Sequence, residues 1–292
     1  MRVLRYALII LTVTLAAGLA AQDASPPARS HPPNPLYTAP DGKPLAGLRI
    51  CVDPGHGGQI FGGTRGYTGG TRSSVSDQTE SEANLRVGMF LWDLLTQAGA
   101  DVVMTRTFET RLSADCFAAP GSDEYRANSR EELNIRVRVA EANKCDVFVS
   151  IHHNAGGGPN VNHTTDFYFD PAEQPGGATD RQVPHSPENV AKSKALANDI
   201  LETLHARLGL ETRPARHGNF HVIRETSMPA VLVECSFMPN KAQAEWMEDP
   251  AYSRLAAIGI FEGIMKWHGE GKAPAPVSSD SAATPATKEV QP

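Results

Sequence analysis

The sequence predicts an α/β fold: a single domain built on a mostly parallel twisted sheet, flanked by helices on both faces. Three observations predict it. Short continuous runs of Val, Ile and Leu recur along the chain, the pattern of strands covered on both sides. Between them lie longer stretches whose apolar residues fall three and four apart, the helical period. Gly and Pro punctuate the junctions.

Each element has its own local reason. Leu48 to Val52 is an apolar run that ends at Asp53-Pro54-Gly55, a first strand entering a turn. Glu80 to Ala98 carries Leu85, Met89 and Trp92 on one helical stripe, and Gly99 stops it. Asp101 to Thr105 is a second strand. Phe108 to Arg130 shows little periodicity and reads as an irregular surface insertion. Glu131 to Asn143 is the second helix, Asp146 to Ile151 an apolar strand, and Thr165 to Phe169 another. Pro171 to Pro187 is too rich in Pro and Gly to predict a helix. Glu188 to Leu208 is a long helix closed by Gly209. Ala230 to Cys235 is the last clear strand and Ser253 to His268 the last helix.

The ends of the chain read differently. Arg2 and Arg5 precede an apolar run from Tyr6 to about Leu19, with Gly18 and Ala20 at cleavage spacing, so residues 1–20 are expected to be a signal peptide. The run is too short for a stable membrane anchor. Residues 21–45 are rich in Pro and Ala and read as a linker. One compact domain follows over 46–268, and 269–292 is a tail that lacks aromatic residues and is expected to be disordered. The mature protein is therefore expected in the periplasm or in the extracellular cell-wall space. With 27 Lys+Arg against 33 Asp+Glu, the net charge of -6 argues for neither nucleic acid nor a polybasic membrane patch. A monomer is the expected state. Of four cysteines, Cys51, Cys145 and Cys235 sit in or beside apolar runs and read as buried thiols; with Cys116 they form no CxxC pair, which speaks against a cysteine zinc site.

The chemistry-bearing residues follow the strands. The first strand runs into Asp53-Pro54-Gly55-His56, a later one into Ser150-Ile151-His152-His153-Asn154, and the last into Val233-Glu234. Ligands of open α/β sheets bind outside the carboxyl ends of the strands. Two imidazoles suit zinc, and a catalytic zinc takes a third protein ligand. Glu80 and Glu82 compete for that place. Thr79 and Glu82 have the form of a capping box, which folds Glu82 back onto the Thr79 backbone and leaves Glu80 the freer carboxylate. Glu234, at the end of an apolar run, is costly to bury without a role and fits a general base. His153 points away from His152 in a strand and reads as a supporting residue. His217 and His221 read as surface-loop residues, with the cleft as the alternative.

The segments ICVDPGHGG at 50–58, TESEANL at 79–85, LNIRVRVAEANKCDVFVSIHHNA at 133–155 and FHVIRETSMPAVLVECSFMPN at 220–240 together resemble the zinc-dependent N-acetylmuramoyl-L-alanine amidases of the amidase 3 type. The resemblance covers nearly all of the compact domain, in the family's order. It implies one zinc ion held by His56, Glu80 and His152, with Glu234 as the catalytic glutamate. It implies peptidoglycan as substrate, cut at the amide between N-acetylmuramic acid and the L-alanine of the stem peptide. Arg136, Asn143, Asn154, Arg224 and Asn240 also fit family positions and are expected to support fold or cleft. An activator protein becomes a candidate partner, because some relatives need one. The segment Cys235 to Asn240 departs from the family pattern, which leaves the loop shape there open. Some relatives carry an inhibitory helix after the second histidine motif, and none is expected here. The alternatives are another zinc hydrolase acting on cell-wall peptide or sugar amides, a non-haem iron enzyme using the same ligand types, and a non-catalytic peptidoglycan-binding module.

Overall fold

The computed structural model describes residues 42–57, 69–112, 123–156, 158–174 and 185–269, with the backbone alone over 123–128. The expected signal peptide, the linker up to residue 41, Cys116, residues 175–184 of the Pro/Gly-rich stretch and the tail from 270 lie outside the described residues. Among the described residues seven strands form the sheet: β1 (Arg49–Pro54), β2 (Asp101–Met104), β3 (Val147–Asn154), β4 (His163–Tyr168), β5 (Glu211–Thr212), β6 (Arg216–His217) and β7 (Ala230–Phe237). Their order is β2-β1-β3-β7-β4-β5, with β6 also paired to β4. Every pairing is parallel except β4 with β7.

The strand period of two sorts the core into two layers. Ile50, Val52, Val147, Val149, Ile151, Val231 and Val233 face one side. There they meet Leu91 and Leu94 of α1 (Glu80–Gln97), Ile200 and Leu204 of α3 (Pro187–Leu208), and Phe261 and Ile264 of α6 (Pro250–His268). Each such side chain taken fully from water contributes roughly 1.5–3 kcal/mol. Cys51, Phe148, Phe167, Ala230 and Leu232 face the other side, against Ala140 of α2 (Asp123–Ala142) and Val222 and Ile223 of α4 (His221–Glu225). The mostly parallel sheet thus carries helices on both faces, and the continuous apolar runs follow from that double cover. Cys51, Cys145 and Cys235 are buried free thiols.

Local signals and structure part company in three places. Leu45, at the end of the expected linker, is fully buried in the core. The helix expected from Glu131 begins at Asp123, inside the stretch read as irregular. Its first turns hold few apolar residues, so no stripe marks them, yet a nucleated helix extends at little cost. Four short elements, β5, β6, α4 and α5 (Lys241–Met247), show no readable period because none is long enough to repeat one. Among the described residues no helix is long and apolar enough to cross a membrane.

Candidate active site

The carboxyl ends of β1, β3 and β7 lie side by side. Pro54 is level with Ile151, and His152 with Glu234. His56 therefore emerges just beyond β1, His152 near the end of β3 and Glu234 on β7, while Glu80 opens α1 beside them. The structure brings His56, Glu80 and His152 into one cluster, with one donor atom from each lying within 4.8 Å of the others. Glu80 Oε1 stands 3.2 Å from His56 Nε2 and 3.0 Å from His152 Nδ1. The imidazole rings are 4.9 Å apart. Two neutral-capable nitrogens and one carboxylate oxygen at this spacing can hold a metal ion. Burial alone would raise the Glu80 pKa, but the two histidines overcome it and hold the carboxyl well below the usual range.

The cap decides which glutamate is available. Thr79 accepts from the Glu82 backbone N–H, and Glu82 Oε2 accepts from the Thr79 backbone N–H at 2.8 Å, the reciprocal box expected from sequence. Glu80 is left to face the histidines, and its oxygens accept from the backbone N–H groups of Thr71 (3.0 Å) and His153 (3.3 Å). The turn carrying His56 is clamped from two sides. Arg136 donates to Asp53 Oδ1 at 2.6 Å, to the Pro54 carbonyl at 2.9 Å and to the His56 carbonyl. Arg106 donates to the carbonyls of Pro54 (2.8 Å), Gly55 (3.0 Å) and Ser81 (2.7 Å). Asp53 also accepts from Thr105 and Ser150, both at 2.7 Å. These bonds hold His56 at φ 58°, a left-handed conformation uncommon for a residue with a side chain. Gly55 is required by proximity, because a Cβ there would collide with the His152 ring.

Glu234 occupies a different environment. It lines the same cleft, of about 390 Å³, together with His56, Glu80, His152, Arg136 and Phe220. It is 8 % exposed, and its Oε2 is buried without a protein partner. Burial, and then the nearby carboxyls of Glu80 and Asp166, push its pKa well above the usual carboxylate range.

His153 borders the cleft, but its side chain is turned from that of His152, as strand alternation requires, and reaches Asn84. Its Nδ1 is 2.7 Å from Asn84 Oδ1, while Asn84 Nδ2 donates to the Gly55 carbonyl, so the pair ties β3 and α1 to the His56 turn. Burial lowers the His153 pKa to about 4. His217 lies away from the cleft, with Nδ1 accepting from the Asp170 N–H. His221 does line the cleft, contrary to the surface-loop reading, because α4 carries it there next to Phe220. Asn154 also lines the cleft, and Asn240 caps α5. Where the segment after Glu234 departs from the family pattern, β7 continues to Phe237 and the β3–β7 register shifts between His152 and Asn154. Sequence reasoning missed Arg106 and Asn84. Their signal lay in a buried strand end (Thr105-Arg106) and on the first helix one turn after Glu80, but neither is distinctive without the fold.

Comparison with known proteins identifies the family. Residues 50–266 match the model of the Amidase_3 family, described as N-acetylmuramoyl-L-alanine amidase. A cell-wall amidase of Bacillus anthracis, itself uncharacterized, is 31% identical over 224 residues, 77% of this chain and 36% of that protein. The germination-specific N-acetylmuramoyl-L-alanine amidase of Bacillus subtilis is 27% identical over 78% of this chain and 82% of its own length. The chain thus spans about a third of the first relative and most of the second. The solved catalytic domain of the amidase CwlV from Bacillus (Paenibacillus) polymyxa superimposes with a TM-score of 0.58 at 29% identity, covering 77% of this chain and 99% of that one. With residues 50–266 of 292 matched by a single family model, the chain belongs to the Amidase_3 family of N-acetylmuramoyl-L-alanine amidases.

Proposed function

We propose that this chain is an exported peptidoglycan hydrolase that binds one zinc ion through His56, Glu80 and His152 and cleaves the amide between N-acetylmuramic acid and L-alanine of the stem peptide. The observation that carries the reading is the register of β3 with β7, which sets the Glu234 carboxyl beside the His56–Glu80–His152 cluster in one cleft. Two imidazoles and one carboxylate are a common catalytic zinc set. When bound, zinc supplies Lewis acidity that lowers the pKa of a water and polarises an amide carbonyl.

The protein's own groups do the rest. Glu234 accepts the proton of the attacking water and returns it to the departing amine of L-alanine. Its raised pKa suits that return, and a cation held by His56, Glu80 and His152 would draw it back toward the carboxylate form needed for the first transfer. Arg136 and Arg106 fix the His56 turn so that the ligand geometry exists before substrate arrives. The N-terminal Arg2, Arg5 and apolar run support export to the cell-wall space. A protein activator remains a candidate partner, tested by adding cell-envelope extract to the purified enzyme.

The test is Glu234→Gln, assayed by mass spectrometry of products from purified peptidoglycan, with and without a chelator. The expected variant is folded, zinc-loaded by metal analysis, and slower by about a hundredfold or more, the scale of general acid–base catalysis. Near-normal release of stem peptides with a free L-alanine amine would remove Glu234 from the mechanism. Release of acetate or of D-alanine instead would make the enzyme a deacetylase or a peptidase. Iron in place of zinc would identify the non-haem alternative. No product from a folded, zinc-loaded wild-type protein would make it a binding module.

A further inference from the structure

Among the described residues, buried side-chain atoms without a protein partner gather around the antiparallel pair of β4 and β7. They include Thr164 Oγ1, Thr165 Oγ1, both oxygens of Asp166, and Glu234 Oε2. Unpaired buried polar atoms are uncommon, and a concentration of them calls for an explanation. The register separates them. Thr165 pairs with Glu234 and Asp166 with Val233. Val233 belongs to the layer under α1, α3 and α6, so Asp166 and Thr164 face that layer. Thr165 projects on the same face as Glu234, the face on which Phe167 and Leu232 pack. Of these unpartnered groups, Thr165 alone therefore shares the side of the sheet that carries Glu234.

Three neighbouring strands place His152, Glu234 and Thr165 in one row. Directly opposed residues of an antiparallel pair have Cβ atoms about 4.5–5.5 Å apart, within reach of a short side chain after a single χ1 step. Glu234 Oε2 is buried, while the residue as a whole keeps 8 % exposure along the cleft wall. One oxygen is turned inward and the other faces the cleft. A carboxylate that must meet a proton at one defined point needs its inward oxygen held.

We propose that Thr165 is the positioning residue for Glu234: turned one χ1 step from its orientation in the structure, where neither atom has a partner, its hydroxyl donates to Oε2 and so aims Oε1 at the cleft. The role rests on the reading of Glu234 as the base. It requires a hydroxyl at residue 165 and has no need of the methyl group.

The experiment compares Thr165→Val, which keeps the shape, with Thr165→Ser, which keeps the hydroxyl. Glu234→Gln is measured in parallel. Each is assayed on soluble peptidoglycan fragments for kcat and KM, with zinc content and thermal melting as controls. Thr165→Val is expected to lower kcat about tenfold, the size of one hydrogen bond to a charged group, with KM and zinc content unchanged. Thr165→Ser is expected to restore kcat to within about twofold. Wild-type kcat in Thr165→Val overturns the proposal. A Thr165→Ser variant as slow as Thr165→Val also overturns it, because the methyl would then be what matters. If Thr165→Val fails to fold, Thr165→Ala against Thr165→Ser carries the same comparison. An active Glu234→Gln removes the base and this role with it, whereas an inactive Glu234→Gln beside a fast Thr165→Val removes Thr165 alone.

Discussion

The two sides of the cleft hold carboxyl groups in opposite ways. On the side of β1 and α1, Asp53 is fully enclosed yet accepts from Arg136, Thr105 and Ser150, and Glu80 accepts from two backbone N–H groups and faces two imidazoles. On the side of β4 and β7, Glu234 in the cleft wall and Asp166 on the other face of the sheet are also enclosed and have buried oxygens with no protein partner. Burial raises the pKa of all four, but on the first side the partners win and the carboxyls stay ionised; on the second, burial wins. The first side suits a cation, and Glu234 on the second suits the proton exchange proposed for it.

The largest effect that tests this contrast is Arg136→Met. It leaves Asp53 charged, buried and short of its cation, and is expected to cost about 3–5 kcal/mol in the metal-free protein, read by denaturant unfolding. Adding Asp53→Asn should recover much of that loss. A loss under about 1 kcal/mol, the worth of an exposed pair, would mean that the ion pair does not hold this side together.

Asp166→Asn probes the opposite side. The folded pKa of Asp166 is raised, so its stability contribution is complete below its unfolded value of about 3.9 and is lost as pH rises toward the folded value. Asp53 has the reverse sign: its contribution is present above about pH 3.9 and is lost as pH falls through its lowered folded value. Asp166→Asn is therefore expected to stabilise the metal-free protein at pH 7, by roughly 1–3 kcal/mol, and to leave stability at pH 4 nearly unchanged. Melting curves across that range check it, and a variant that melts below wild type at pH 7 would show Asp166 to be charged and partnered.

The smallest effect sharpens the side of β1 and α1. Thr79→Ala removes the cap of α1 and should cost about 1 kcal/mol in thermal unfolding. Zinc content should not change, because Glu80 is held by the Thr71 and His153 backbone N–H groups independently of the cap. Loss of zinc in this variant would mean that the cap, and not those donors, sets the ligand.

Much of this arrangement was legible in the residues. Strand runs ending in His56, His152 and Glu234 marked the working edge, and the Thr79–Glu82 box separated Glu80 from Glu82 through a purely local bond pattern. Strand alternation alone separated the His153 side chain from that of His152. The misses share a cause. Leu45 lacks a flanking apolar pattern, α2 begins in polar turns, and α4 is five residues long, so His221 could not be placed in the cleft from its neighbours in sequence.

What the chain determined by itself is what local backbone chemistry decides: which longer apolar segments are strands, where α1 starts and which glutamate its cap leaves available. Those rest on contacts within a few residues, which sequence order already contains. Tertiary structure decided the rest. It closed Arg136 onto Asp53 across 83 positions and Arg106 onto Gly55 across 51. It also set Thr165 opposite Glu234 in an antiparallel pair that nothing nearby in the chain announces. Whether a buried carboxyl is charged or neutral depends on partners that only folding brings within hydrogen-bond reach, and the two sides of the cleft differ for that reason.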